Sequence, residues 1–229
     1  GRKKLRIVFD ASKKCQGISL NSLIMQGPDL LSPMLRILLR FRLQPVAVSA
    51  DIASFFHCVR TPQEDADFGR YLWFRNDDPS AAIVEFRMLC HLFGGISSQC
   101  CSVQTVTRTF RDAVHAGLIS TEQATKITRD LYSDDLLRSF DTVQEAIHSS
   151  ILARQILAES KFNLTKFASS HSQVLGAIPG EHHCEPLKDL QLDAQPRSAL
   201  GINWDVKQDV FIFDKFPDEN QVIFTKRGL

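Results

Sequence analysis

The chain has 229 residues, 44% of them hydrophobic and 23% charged, with a formal net charge of +1. That profile suits a globular chain with a sizeable core and excludes collagen-like, disordered and disulfide-scaffold classes. No apolar run approaches the ~18 residues of a membrane span, and the six cysteines lack any C-x-x-C spacing and read as reduced thiols. The expected setting is intracellular, neither secreted nor bound to a membrane.

The sequence opens Gly-Arg-Lys-Lys with no apolar signal segment behind it, and reads as a piece of a longer protein. Arg2, Lys3, Lys4, Arg6, Lys13 and Lys14 face only Asp10 in the first fourteen residues, a local basic patch that suits phosphate or a solvated end. Leu5 to Phe9 reads as a strand. Ser32-Pro33 predicts the cap and first position of a helix through Arg42, with Arg36 and Arg40 on one face and Leu35, Leu38 and Leu39 on the other. Pro45 ends it, and Val46 to Asp51 follows as a buried strand closing on an acid. Tyr71 to Phe74 and Ile83 to Leu89 are strand runs around the polar turn 75–79.

Ser97 or Ser98 starts a helix that spaces Val103, Val106, Phe110 and Val114 on one face. Ser120-x-x-Gln123 and Thr142-x-x-Glu145 are capping-box starts, the second leading to Ser160. Between those helices Leu131 to Leu137 carries two apolar arms around a polar tip, the pattern of a hairpin. Phe162 to Phe167, Leu200 to Trp204 and Val210 to Phe213 are the remaining strand candidates. His182-His183-Cys184 lacks a second ligand pair, so no zinc site is expected. The order is α+β, without β-α-β regularity and without a Gly-rich phosphate loop.

Two pairs of adjacent acids stand apart in context. Asp77-Asp78 precedes Pro79 and reads as an exposed turn, whereas Asp134-Asp135 lies between Leu131-Tyr132 and Leu136-Leu137. Carboxylates flanked by apolar strands are costly unless a cation or hydrogen-bond donors meet them. Asp51 ends another apolar strand, so neighbouring strands would bring three carboxylates to one point. Hard oxygen ligands in that number suit Mg²⁺, and a pair of such ions suits phosphoryl chemistry. A strand-end cap and a plain hairpin turn are the bland alternatives.

With those acids in view, Asp51-Ile-Ala-Ser-Phe-Phe56 and Tyr132-Ser-Asp-Asp135 resemble the motif A and motif C pair of reverse transcriptases. The words Arg6-Ile-Val-Phe-Asp-Ala-Ser, Gly27-Pro-Asp-Leu-Leu, Leu39-Arg-Phe-Arg42, Phe93-Gly-Gly-Ile-Ser-Ser-Gln-Cys-Cys101, Phe162-Asn-Leu-Thr-Lys166 and Leu200-Gly-Ile-Asn-Trp204 are similar to the BEL/Pao class of long-terminal-repeat retrotransposons. The resemblance runs in order from residue 5 to the end. It implies a right-hand polymerase palm with partial fingers, an antiparallel sheet backed by helices. Residues 1–45 and 60–90 would be fingers-like, and 46–59 and 91–229 palm with motif E. Thumb and ribonuclease H would lie outside the chain.

The implied activity is RNA-directed DNA synthesis from dNTPs on a primer paired to an RNA or DNA template. Asp51, Asp134 and Asp135 would hold two Mg²⁺ ions, with Mn²⁺ as a substitute. Lys166 resembles the motif D lysine, a general acid for pyrophosphate, with an ordinary strand-end lysine as the alternative. Arg6, Phe56, Phe93 and Gly94 would meet the nucleotide: Arg6 at the triphosphate, Phe56 as a steric gate under the sugar, with a core aromatic beside Phe55 as the alternative, and Gly94 where backbone approaches. Leu200, Gly201 and Trp204 resemble the primer grip. The remainder of a retroelement polyprotein is the implied partner, and a cytoplasmic particle the implied location. Gln99 stands where that family usually has Pro, and Ser133 fills the variable place of Y-x-D-D. Two rivals remain, a catalytically silent remnant that only binds nucleic acid or protein, and an RNA-dependent RNA polymerase, against which Phe56 argues.

Overall fold

A computed structural model describes residues 9–184, 197–200 and 202–212. In chain order the elements are α1 Leu20–Leu23, α2 Met34–Phe41, β1 Val46–Ala53, β2 Arg70–Phe74, β3 Ile83–Arg87, α3 Ser98–His115, α4 Thr121–Arg129, β4 Leu131–Tyr132 and β5 Asp135–Phe140. There follow α5 Val143–Glu159, β6 Asn163–Ser169, α6 Ser172–Gly176, β7 Arg197–Ala199, β8 Ile202–Asp205 and β9 Val210–Ile212. The main sheet has the order β4-β5-β1-β6, and β1 is antiparallel to both of its neighbours. The β2–β3 hairpin and the β7-β8-β9 sheet are separate from it.

Strand alternation on β1 divides the core into two. Val46, Val48, Ala50 and Ile52 face a large cluster made with Val106 and Phe110 of α3, Ile127 of α4, and Ala153, Ile156 and Leu157 of α5. Ala47 faces the other way, into a smaller cluster of Ile37, Leu38, Phe41, Leu137, Ala168 and Trp204. Each large apolar side chain so enclosed contributes about 1.5–3 kcal/mol relative to exposure. Phe41 meets Trp204 edge to face at 4.9 Å. The Trp204 indole N–H donates to Asp209 Oδ1 at 2.9 Å, and Arg42 also pairs with Asp209, which ties the β8–β9 hairpin to the end of α2.

Several expected boundaries shift. The reading of Leu200 to Trp204 as one strand is replaced by a turn and a strand: Leu200 takes a left-handed φ of 52° at the β7–β8 connection, and the strand begins at Ile202. On α2 the buried face is Ile37, Leu38 and Phe41, while Leu35 and Leu39 are exposed, because only one stripe of an eight-residue helix meets the sheet. Pro33 sits at the cap position and Ser32 makes no cap bond, so helix α2 starts one residue late. The second strand of the outer hairpin stops at Arg87, short of Leu89. Ser120 and Gln123 form a reciprocal capping box; Thr142 accepts from the Glu145 N–H but the return bond is missing. His183 Nε2 lies 2.9 Å from Leu175 O and 2.8 Å from Ile178 O, so that nitrogen donates to carbonyls and is no metal ligand. All six cysteines are free thiols. Among the described residues no helix is long and apolar enough to cross a membrane. The expected strand from Leu5 lies outside the described residues up to its last position, Phe9.

One buried acid anchors the base of the β4–β5 hairpin. Asp130, at the end of α4 and 5% exposed, pairs with Arg40 Nε at 2.6 Å, Arg138 Nε at 3.4 Å and Arg129 Nε at 3.5 Å. Its carbonyl accepts from Leu137 N–H at 3.1 Å, so the same residue closes the hairpin through its backbone. Burial pushes the Arg138 guanidinium below its usual range, and the Asp130 carboxylate opposes that shift. Removing the carboxylate takes the counter-charge from two largely enclosed guanidiniums, leaving Arg40 on Arg129 O and Arg138 on Ser149 Oγ. Asp130→Ala is therefore expected to cost about 3–5 kcal/mol of stability, read from urea denaturation midpoints at constant slope.

Candidate functional site

The register of the main sheet gathers the acids picked out in the sequence. Asp51 on β1 is the cross-strand partner of Asp135 on β5, and Ile52 N–H donates to Asp134 O at 2.7 Å. All three residues are half-buried, near the end of β1, which runs two residues past the expected close at Asp51 because Ile52 and Ala53 still pair with β6. The hairpin that brings Asp134 there has a two-residue loop, Ser133-Asp134, between the paired residues Tyr132 and Asp135. Ser133 supplies the positive φ, 56°, that tight hairpin turns demand at a central position.

On the other flank of β1, Asp51 stands opposite Thr165 of β6. The register shifts between Ser49 and Asp51, so that Lys166 and Phe167 together oppose Ala50. This is a β-bulge, and Lys166 adopts a left-handed φ of 54° in it, a conformation that costs a non-glycine residue roughly 1–2 kcal/mol. The extra residue keeps Phe167 fully buried and sends the lysine to Asp51, whose Oδ2 accepts from Nζ at 2.9 Å. An ammonium thus meets a carboxylate that is only 17% exposed. The donor chemistry of Asp51, Asp134 and Asp135, all hard carboxylate oxygen on adjacent register positions, fits a divalent cation such as Mg²⁺. Their side chains are not drawn together into a ready ligand set: among the described residues no three His, Cys, Asp or Glu groups are.

Phe55 and Phe56 take opposite roles. Ser54, at φ 55°, turns the chain out of β1 into the 3-10 turn Phe55–Cys58, which buries Phe55 and leaves Phe56 half-buried. The Phe56 ring lies 5.8 Å from that of Phe93, itself largely exposed on the loop before α3. Gly94 follows at φ 97°, and a Cβ there would meet Phe9 O at 3.0 Å, so glycine is required. Of the residues that resemble a primer grip, Leu200 is at a turn, Trp204 is fully buried, and Gly201, like Arg6, lies outside the described residues.

Two contacts at the site had no signal in the sequence. Ser133 Oγ donates to Gln99 Oε1 at 3.1 Å, joining the hairpin tip to the first turn of α3. These are the two positions singled out where the sequence resembles motifs B and C, and each is the other's partner. Asn21 on α1 is the second; its partners on the Gly94–Ile96 loop lie 73 and 75 positions away. Ser133→Ala and Gln99→Ala are each expected to lower stability, with the double variant less destabilised than their sum by about 1 kcal/mol. A double-mutant cycle by thermal unfolding measures that coupling.

No family model and no curated protein matches this sequence. Among solved structures the chain is similar to a foamy viral protease-reverse transcriptase in complex with double-stranded DNA, at a TM-score of 0.51 and 16% sequence identity. The match covers 69% of this chain and 23% of the viral one. The likeness is one of fold: mixed helices and antiparallel sheets arranged as in a reverse transcriptase.

Proposed function

We propose that this chain is the palm, with part of the fingers, of an RNA-directed DNA polymerase, and that its source is a BEL/Pao-class retrotransposon polyprotein. The observation that carries the reading is the pairing of Asp51 with Asp135, with Asp134 at the adjoining hairpin tip, in a fold similar to a reverse transcriptase. Template-primer and dNTP are the proposed partners, the remainder of the polyprotein a further one. The known neighbour was solved with double-stranded DNA, which is consistent with a nucleic-acid partner here.

In this reading Asp51, Asp134 and Asp135 would hold two Mg²⁺ ions. Such ions, when bound, lower the pKa of a 3′-hydroxyl and stabilise charge on the leaving pyrophosphate. The chain's own residues supply position and protons. The hairpin backbone, tied to β1 through Ile52 N–H, holds Asp134 beside Asp51. Lys166, whose ammonium already lies at the acid site, is the proposed proton donor to pyrophosphate. Phe56 and Phe93 form the aromatic wall of the sugar site, and Gly94 admits backbone close to the nucleotide. Arg6 is assigned to the triphosphate, and Leu200, Gly201 and Trp204 to primer positioning, Trp204 by supporting its hairpin from within the core.

In the full protein, Asp134→Asn should cut dNTP incorporation on an RNA template by orders of magnitude while primer-template affinity stays near that of the parent, because template affinity comes chiefly from phosphate contacts elsewhere. Near-parental extension would remove Asp134 from the catalytic set and favour a binding module. Phe56→Val should lower the ratio of kcat/KM for dNTP over rNTP at least tenfold, equivalent to about 1.4 kcal/mol. A parallel fall in both activities would make Phe56 a packing residue.

A further inference from the structure

The loop carrying Phe93 and Gly94 has little secondary structure of its own. Gly95 N–H reaches Leu92 O at 3.3 Å, and Ser98 Oγ donates to the same carbonyl at 2.7 Å. Phe93 is 63% exposed and meets the Phe56 ring at 5.8 Å, so packing restrains it on one side alone. The missing restraint comes from a distant side chain. Asn21 Nδ2 donates to Gly94 O at 3.0 Å, and Asn21 Oδ1 accepts from Ile96 N–H at 2.9 Å. One side-chain amide therefore meets a carbonyl and an N–H two residues apart, as a neighbouring strand would.

The orientation of that amide is forced. A backbone carbonyl only accepts and a backbone N–H only donates, so oxygen and nitrogen of Asn21 have one arrangement. The asparagine is itself held at the backbone, where its N–H donates to Ala11 O at 2.9 Å. Its Nδ2 makes a further bond to Ser12 Oγ at 2.9 Å. The short helix α1 is closed by Ser19 N–H donating to Ser22 Oγ at 3.0 Å. The clamp thus runs from residues 11–12 through α1 to the Gly94 loop, where Phe9 O leaves no room for a Cβ on Gly94.

We propose that Asn21 is a positioning residue that fixes the Phe93–Gly94 loop against Phe56 and so sets the fit of the incoming nucleotide. The inference rests on the polymerase reading above. Asn21 carries no charge and transfers no proton, so its loss acts on nucleotide binding and leaves the chemical step in place.

Two variants of the full protein test it. Asn21→Ala removes the whole clamp. Asn21→Asp is isosteric and keeps the acceptor for Ile96 N–H, but replaces the donor to Gly94 O with a repelling oxygen. Each lost hydrogen bond is worth roughly fivefold to tenfold in binding. Both variants are expected to raise KM for dNTP about tenfold or more, with kcat within about threefold and primer-template affinity unchanged. Amide exchange gives a readout independent of activity: Ile96 N–H exchanges faster in Asn21→Ala and stays protected in Asn21→Asp. If the parent extends primers and Asn21→Asp keeps the parental KM, the clamp has no part in nucleotide binding and the inference falls alone. Equal losses in kcat and KM-dependent terms with a lowered melting temperature in both variants also overturn it, as general damage to the fold. If the parent incorporates no dNTP on any primed template, the polymerase reading falls and takes the inference with it.

Discussion

The central strand β1 is hydrogen-bonded on both edges, and that double pairing governs the rest of the molecule. A strand flanked by antiparallel neighbours cannot slide by one residue, because a slip would turn Val46, Val48, Ala50 and Ile52 away from the helices and Ala47 into them. The register that satisfies the core therefore also fixes which residues meet at the end of the strand. Asp51 arrives opposite Asp135 on one side and Thr165 on the other as a consequence of hydrophobic packing elsewhere. The acid site and the core are two results of one alignment.

Asp51 is a partly buried carboxylate, and the fold supplies its counter-charge locally. The bulge at Lys166 breaks the β1–β6 ladder by one residue and accepts a strained φ, and in exchange an ammonium reaches Asp51. A regular ladder would have no such irregularity at this point. The strained backbone is held in place by the pairing on both sides of the bulge and by the Lys166–Asp51 ion pair.

The hairpin bearing Asp134 and Asp135 is short, with only two residues in β4, and is secured at three levels. Its base is held by Asp130 and three arginines, its arm by pairing with β1, and its tip by the Ser133–Gln99 bond. The first tie is largely enclosed and electrostatic, the second is backbone, and the third is a neutral side-chain bond. Rigid placement of a two-residue loop follows from the sum of them, since no single tie orders all of its dihedrals.

Local pattern alone determined much of this protein. The apolar alternation of residues 46–51, the apolar arms around Ser133-Asp134, the capping residues Ser120 and Thr142 and the helical spacing of Val103, Val106 and Phe110 specify their elements because each depends on residues within a few positions. The acids were legible for the same reason, since a carboxylate in an apolar context stands out in any window, although β1 runs past Asp51 to Ala53. What the tertiary structure decided involves partners far apart in the chain. Leu35 and Leu39 look like core on a helix wheel, yet the sheet covers only the stripe of Ile37, Leu38 and Phe41. Gln99 and Ser133 are unremarkable singly and become a pair only when α3 and the hairpin meet. The bulge at Lys166 depends on two strands disagreeing by one residue, and the Asn21 clamp on a loop more than seventy positions away. Periodicity records which face of an element is apolar; it holds no information on which distant element will cover that face or bond to its ends.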